Sequence, residues 1–257
     1  MTSVLRTASK AVFSALDIVA PPLRGRRILI YHQIGGGSGL EMEVSPEAFR
    51  RHVSWVAEHY PVVPIHDDTT RDSVVFTFDD GYRSVFDIAF PILRDHGFPF
   101  TLYLTTAPIE SGVPLRSHPG AEPLTWAQVG EMLDSGLVTV GAHTHTHPDL
   151  RHVDEPTIER ELVVSNELIE KRTGVQPEDF AYPWGYWSEQ ADAIVRREYK
   201  RAVLGSPRPF TRSEDPHLLH RLPVQLADGT VWFSRRVRKG LLVEEVVRRR
   251  LRGYSGP

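Results

Sequence analysis

The chain has no cysteine. That excludes disulfides and thiolate zinc sites, and it leaves the redox compartment open. No stretch comes near the roughly 20 apolar residues that span a bilayer. Net charge is small: 30 basic residues against 33 acidic ones, formally −3, which excludes a general polyanion binder. Internal repeats, low-complexity segments and domain linkers are also missing. What remains is ordinary for a globular protein: 257 residues, 40% hydrophobic and 25% charged. One domain of that size can bury most of its apolar surface without staples.

The two termini stand apart. Leu5, Ala8, Val12, Ala15, Leu16 and Val19 recur at helical spacing, which predicts an amphipathic helix within 1–25. Arg6 and Lys10 before AVFSALDIVA imitate a secretory signal. Asp17 interrupts that run, however, and Pro21-Pro22 follows without a small-residue cleavage site. The expectation is a chain that is not exported, cytoplasmic or peripheral at the cytoplasmic membrane face. Arg235 to Arg252 holds eight basic residues and two acidic ones. Such a run reads as a solvated helix face or, more sharply, as a peripheral contact with anionic lipid. The expected division is an N-terminal extension over 1–25, a main domain over 26–229 and a basic C-terminal helix over 230–257.

Between the termini, strands and helices alternate. Arg27–Ile34 is apolar and β-branched and ends at Gly35-Gly36-Gly37. Ser45-Pro46 opens a helix as N-cap and first residue. Val74–Phe78 is a strand closed by Asp79-Asp80-Gly81, and a helix follows to His96. Phe100–Thr105 is a third strand. Ala107–Pro123, rich in Pro, Gly and Ser, is predicted to be a loop. A helix over Thr125–Ser135, a strand over Leu137–Ala142 and a helix over Glu155–Thr173 come next. Strands at Phe180–Tyr182, Ala202–Leu204 and Leu218–Val224 complete seven, and the last helix runs from Thr230 to Arg252 with a break near Gly240. The pattern predicts a parallel sheet, closed as a barrel or doubly wound, with helices outside.

In such folds the chemistry collects where strands end. The strand ends here carry Tyr31-His32, Asp79-Asp80, His143-Thr144-His145-Thr146-His147, Tyr182-Pro183-Trp184-Gly185 and His220-Arg221. Asp-Asp-Gly alone is a common turn, and a lone histidine is usually structural. Carboxylates and imidazoles converging on one rim point instead to a metal. Imidazole with carboxylate and no thiolate suits Zn²⁺, Co²⁺, Ni²⁺ or Fe²⁺ better than Mg²⁺ or Ca²⁺. On an extended segment His143, His145 and His147 would face one way. Two of them plus one Asp would give the three protein ligands of a catalytic zinc.

These motifs resemble the polysaccharide deacetylase family, the NodB-homology domain of carbohydrate esterase family four. Thr77-Phe78-Asp79-Asp80-Gly81, His143-Thr144-His145-Thr146-His147 with the following His-Pro-Asp-Leu, and Phe180 to Gly185 carry the resemblance, from about Arg27 to Val224. The resemblance implies a distorted (β/α)7 barrel of the TIM-barrel type, α/β in class. It implies one divalent ion, zinc foremost, on Asp80, His143 and His147, with Asp79 as general base. The Trp184 backbone N–H would be the oxyanion donor, its ring lining a sugar groove. Leu218-Leu219-His220 fits the late motif of many relatives, which makes His220 the candidate general acid. The surrounding HLLHRLPV resembles another branch, in which His32 is the rival. Where the family usually carries an Arg to orient the base, this chain has Ala181; Arg221 is a conceivable substitute. Substrate contacts are expected at Tyr82, Trp184 and His32.

The resemblance implies an N-acetylated amino-sugar glycan or glycolipid as substrate, while the acidic bulk and the lack of a nucleic-acid motif argue against a nucleic-acid partner. Trp184, Tyr186 and Trp187 would suit sugar stacking, although a barrel rim also uses aromatics to pack loops. Two other readings stay open: a same-fold amidase acting on a non-sugar amide, and a carbohydrate-binding relative without turnover.

Overall fold

The computed structural model describes residues 22–205 and 215–240. The helix expected within 1–25 therefore lies almost wholly outside the described residues, as does the basic segment beyond Gly240. Among the described residues no helix is long and apolar enough to cross a membrane.

The chain closes a seven-stranded parallel barrel. Its strands are β1 (Arg26–Tyr31), β4 (Ser73–Phe78), β5 (Phe100–Leu104), β6 (Val138–Ala142), β7 (Asp179–Ala181), β8 (Arg201–Leu204) and β9 (Leu219–Pro223). They follow one another in sequence around the ring, and β9 closes on β1 with Ile28 opposite Arg221. The strand expected over Arg27–Ile34 is broken at His32. Its tail becomes β2 (Gln33–Ile34), which pairs with β3 (Glu43–Val44) in a separate two-stranded sheet.

Side chains alternate across the barrel wall. Ile28, Val75, Tyr103, Ala181, Val203 and Leu219 fill the inside. Leu29, Phe76, Phe100, Phe180 and Leu222 face the helices. Burying each such side chain contributes roughly 1.5–3 kcal/mol. The interior is full: a Cβ on Gly141 would lie 2.5 Å from the Tyr103 ring.

The outer layer begins with α1 (Pro46–His59), capped by the Ser45 side chain on Ala48 N–H. After β4 the chain makes a wide π-helical turn over Val85–Ala89 before α2 (Phe90–Asp95). Pro91 supplies the reason, because it has no N–H to give the carbonyl four residues back. The segment predicted to be loop contains a short helix, α3 (Thr106–Ser111), stopped by Gly112 at φ 71°. Next come α4 (Trp126–Asp134), with a capping box of Thr125 and Gln128, and α5 (Glu155–Thr173). The last two are α6 (Glu189–Glu198) and α7 (Thr230–Lys239), the latter ended by Gly240 at φ 80°, where the sequence placed its break.

Candidate active site at the carboxyl rim of the barrel

Asp79 and Asp80 leave β4 with opposite destinies. Asp80 adopts φ 70° and Gly81 φ 76°, so the chain turns sharply and the two carboxylates diverge. Asp79 turns into the barrel. Asp80 turns towards the end of β6, where His143 and His147 wait. The Nε2 atoms of both histidines lie 3.5 Å from Asp80 Oδ1. One ligand atom from each of the three residues falls within 4.8 Å of the others. Those separations are long for hydrogen bonds and right for donors around one ion. Asp80 Oδ1 is buried and has no hydrogen-bond partner, so it is available to a cation.

The intervening segment is not extended. Thr144 (φ 66°) and His147 (φ 61°) are both left-handed. The turn carries His145 away from its neighbours, so the expectation that 143, 145 and 147 face one way is corrected. His145 Nδ1 meets Thr106 Oγ1 at 2.9 Å instead. Glu161 of α5 pins the turn: its carboxylate accepts from His145 N–H (2.9 Å), Thr146 N–H (2.7 Å) and the Thr146 hydroxyl (2.7 Å). Thr144 Oγ1 accepts from His147 N–H at 3.1 Å.

His143 gives its Nδ1 proton to the Ala181 carbonyl at 2.7 Å, which aims Nε2 at the carboxylates. Burial alone would lower the His143 pKa, but Asp79 and Asp80 outweigh it and raise the pKa above its ordinary value. The field that draws a proton there also draws a cation. For His147 burial wins, and the pKa falls to about 4, so its ring is neutral and its lone pair free at pH 7. Burial opposes ionisation of Asp80, yet His143, His147 and His32 hold it well below the carboxylate range.

Asp79 is clamped by Arg221, a fully buried side chain reaching inward from β9. Nη1 and Nη2 lie 2.6 and 2.7 Å from the two carboxylate oxygens. Arg221 Nη1 also donates to Thr77 Oγ1 and Nε to the Leu204 carbonyl. Burial would raise the Asp79 pKa; Arg221 overcomes that and lowers it. Arg221 thus makes the contact to Asp79 for which the sequence offered it as a candidate.

The same strand places His220 elsewhere. Arg221 points into the barrel, so its neighbour His220 points to the helical side. His220 is not among the residues lining the cavity over the cluster, so the structure does not bring it together with Asp80, His143 and His147 there. His32 does line it, at the break between β1 and β2. Its Nδ1 is buried without a partner, and burial lowers its pKa against the opposing pull of Asp80 and Asp79.

Of the other expected contacts, Trp184 lines the cavity, 53% exposed, its ring 5.1 Å from that of His147. Trp184 is left-handed at φ 61°, and Gly185 packs so tightly on Gly205 that a Cβ would come within 2.4 Å of its Cα. Tyr186 lines the cavity too, whereas Trp187 gives its indole N–H to Asp192 at 3.0 Å. Tyr82 is 2% exposed and is not among the lining residues; its ring packs near that of His118, and burial together with the neighbouring Asp80 carboxylate raises its pKa. The cavity measures about 350 Å³ and is also lined by Glu41, Met42, His118 and Gln225, which the sequence did not single out. They come from loops without motif or period, and only the folded chain brings them together. Glu161 was equally hidden, one glutamate among several on α5.

A closed parallel barrel with this rim cluster is the architecture of a carbohydrate deacetylase domain. The family model described as polysaccharide deacetylase matches residues 66–202. The chain belongs to that family. It is 26% identical over 208 residues to the polysaccharide-deacetylase relative YxkH of Bacillus subtilis, covering 77% of this chain and 70% of that one. It is 20% identical over 171 residues to a poly-beta-1,6-N-acetyl-D-glucosamine N-deacetylase of Staphylococcus aureus, covering 60% of this chain and 58% of that relative. Among solved structures it superposes on a Bacillus cereus polysaccharide deacetylase with TM-score 0.72 and 25% identity, over 83% of this chain and 69% of the other. On IcaB from Ammonifex degensii the TM-score is 0.70 at 20% identity, over 83% and 96%.

Proposed function

We propose that this protein hydrolyses the N-acetyl group of an amino sugar in a polysaccharide or cell-envelope glycan precursor, with a divalent ion on Asp80, His143 and His147. The observation that carries this reading is the cluster itself: three ligand atoms within 4.8 Å of one another, beside a carboxylate bound to Arg221. Neutral and anionic nitrogen and oxygen donors without sulfur fit Zn²⁺ first, then Co²⁺, Ni²⁺ or Fe²⁺. An ion held there would supply Lewis acidity to the amide carbonyl and lower the pKa of water towards ~7.

The chain's own residues do the rest. Asp79 is ionised and fixed by Arg221, so it can take a proton from the attacking water. The Trp184 backbone N–H is the proposed donor to the developing oxyanion, a contact typically worth about 3–4 kcal/mol. The C–N bond then breaks, and the leaving nitrogen takes up one proton. His32, which lines the cavity with a buried, unpartnered Nδ1 and feels the charge of Asp80 and Asp79, is the proposed carrier. Products are acetate and the free amine. Trp184 and Tyr186 offer faces for the sugar ring.

Acetate release from N-acetylglucosamine oligomers tests the reading, with and without chelator. Wild type is expected to release acetate only with metal. Asp79→Asn should lose about 10²–10⁴-fold while still binding metal. His32→Ala should fall further than His220→Ala. Chelator-insensitive release, or full activity in Asp79→Asn, would sink the proposal.

A further inference from the structure

A second cavity, of about 560 Å³, opens on the same rim and shares Ser117, His147 and Trp184 with the first. A molecule whose acetamido group sits at Asp80 must pass the Trp184 ring to enter it. The walls are Ala107 and Pro108 of α3, and Val113, Pro114 and Leu115 of the following loop.

The three hydroxyls of this second cavity are already engaged. Ser111 donates to the Ala107 carbonyl and accepts from Val113 N–H, Ser117 Oγ meets His118 Nδ1, and the Thr146 hydroxyl donates to Glu161. The wall between these hydroxyls is apolar, with Ala107, Pro108, Val113, Pro114 and Leu115 offering contact area to an apolar chain and no hydrogen-bonding side chain to a sugar. The cavity also carries one cation, Arg116, which is exposed and has no ion-pair partner among the described residues.

The surface around the site agrees. Six large apolar side chains are exposed among the described residues: Leu40, Val113, Val163, Trp184, Leu226 and Val231. Val113 and Trp184 line the second cavity. Leu40 and Leu226 adjoin the metal-cavity residues Glu41 and Gln225, and Leu226 N–H donates to the Glu41 carbonyl at 2.8 Å. Isolated exposed apolar residues need no explanation, but two of the six on the wall of one cavity suit contact with something apolar.

We propose that the second cavity is a site for the carrier of the sugar: an apolar chain, joined to the amino sugar through a phosphate-type anion that Arg116 binds. An arginine fork suits a phosphate oxygen pair. This rests on the deacetylase reading and selects, within it, a lipid-linked precursor over a free polymer.

Binding of amphiphiles tests the assignment apart from catalysis. Dodecyl phosphate, shorter alkyl phosphates, inorganic phosphate and neutral dodecyl maltoside are titrated into the metal-loaded protein below their micellar concentrations. Affinity should fall by about fourfold for each buried methylene removed. Arg116→Ala should erase the preference for dodecyl phosphate over dodecyl maltoside. The double variant Val113→Asp, Leu115→Asp should erase the chain-length dependence and leave acetate release from soluble oligomers unchanged. A chain-length dependence that is absent, or that survives the double variant, overturns the assignment. So does a loss of affinity for soluble oligomers in that variant, which would give the cavity to a polymer. Amphiphile binding without acetate release from any substrate would instead overturn the deacetylase reading and leave the cavity assignment standing.

Discussion

Arg221 shows how one side chain sets both the position and the proton affinity of Asp79, the proposed base. A carboxylate as buried as Asp79 would otherwise hold its proton at raised pH. The guanidinium reverses that and lowers the pKa. A base works above its pKa, so the acid limb of the kcat/KM profile should lie low in the wild type. In Arg221→Lys the charge remains but the two-point contact is lost, and Asp79 should titrate higher. The acid limb is then expected to move to higher pH, and a limb that stays put would free Arg221 of this role. Arg221→Ala goes further and leaves a buried unpaired charge, a change that costs about 3–5 kcal/mol. Sequence alone could suggest Arg221 only because Ala181 left a vacancy in the motif. His32 and His220 were not separable there, since both sit beside a strand end. The alternation of β9 separates them once Arg221 is known to face inward.

At the scale of elements, the seven barrel strands were legible because each is a short apolar run bounded by turn residues. The barrel rim was less so. The strand containing His32 looks continuous in composition, yet it changes sheets at that residue. The HTHTH segment looks extended, yet left-handed backbone at Thr144 and His147 folds it around Asp80. Neither residue type announces that conformation, because tertiary hydrogen bonds impose it. Glu161 supplies three of them from α5. Holding strained backbone in place is what gives His143 and His147 a fixed separation. Glu161→Gln keeps the shape and weakens the acceptor, so metal affinity should drop about 10–100-fold. Co²⁺ binding followed by absorbance, in competition with a chelator, measures it. Glu159→Gln, on the exposed face of the same helix, is the control. Equal affinities in the two variants would reduce Glu161 to a packing residue.

For the whole molecule, the last described helix is tied to the barrel through a buried histidine. His52 of α1 stacks on Phe233 of α7 with ring centroids 3.9 Å apart. Its Nε2 gives a proton to the Asp228 carbonyl at 2.7 Å, and its Nδ1 lies 3.2 Å from the Tyr31 hydroxyl. Asp228 in turn holds Arg236 and accepts from Gln225 N–H, beside the cavity. The neutral ring satisfies both contacts; a second proton on Nδ1 would force the Tyr31 hydroxyl to turn. Burial therefore lowers the His52 pKa from 6.5 to about 4. The sign follows from linkage. Between those two values the unfolded chain takes up a proton that the folded chain refuses, so stability falls as pH drops through that window and levels off below it. The contribution is at most about 3 kcal/mol. His32 and His147 shift in the same direction, so wild type alone cannot isolate it. The difference in Tm between wild type and His52→Gln can, measured from pH 7 to pH 4.5. The wild-type curve should descend more steeply, by about one proton, and parallel curves would show that His52 is not the group that makes docking of α7 sensitive to acid.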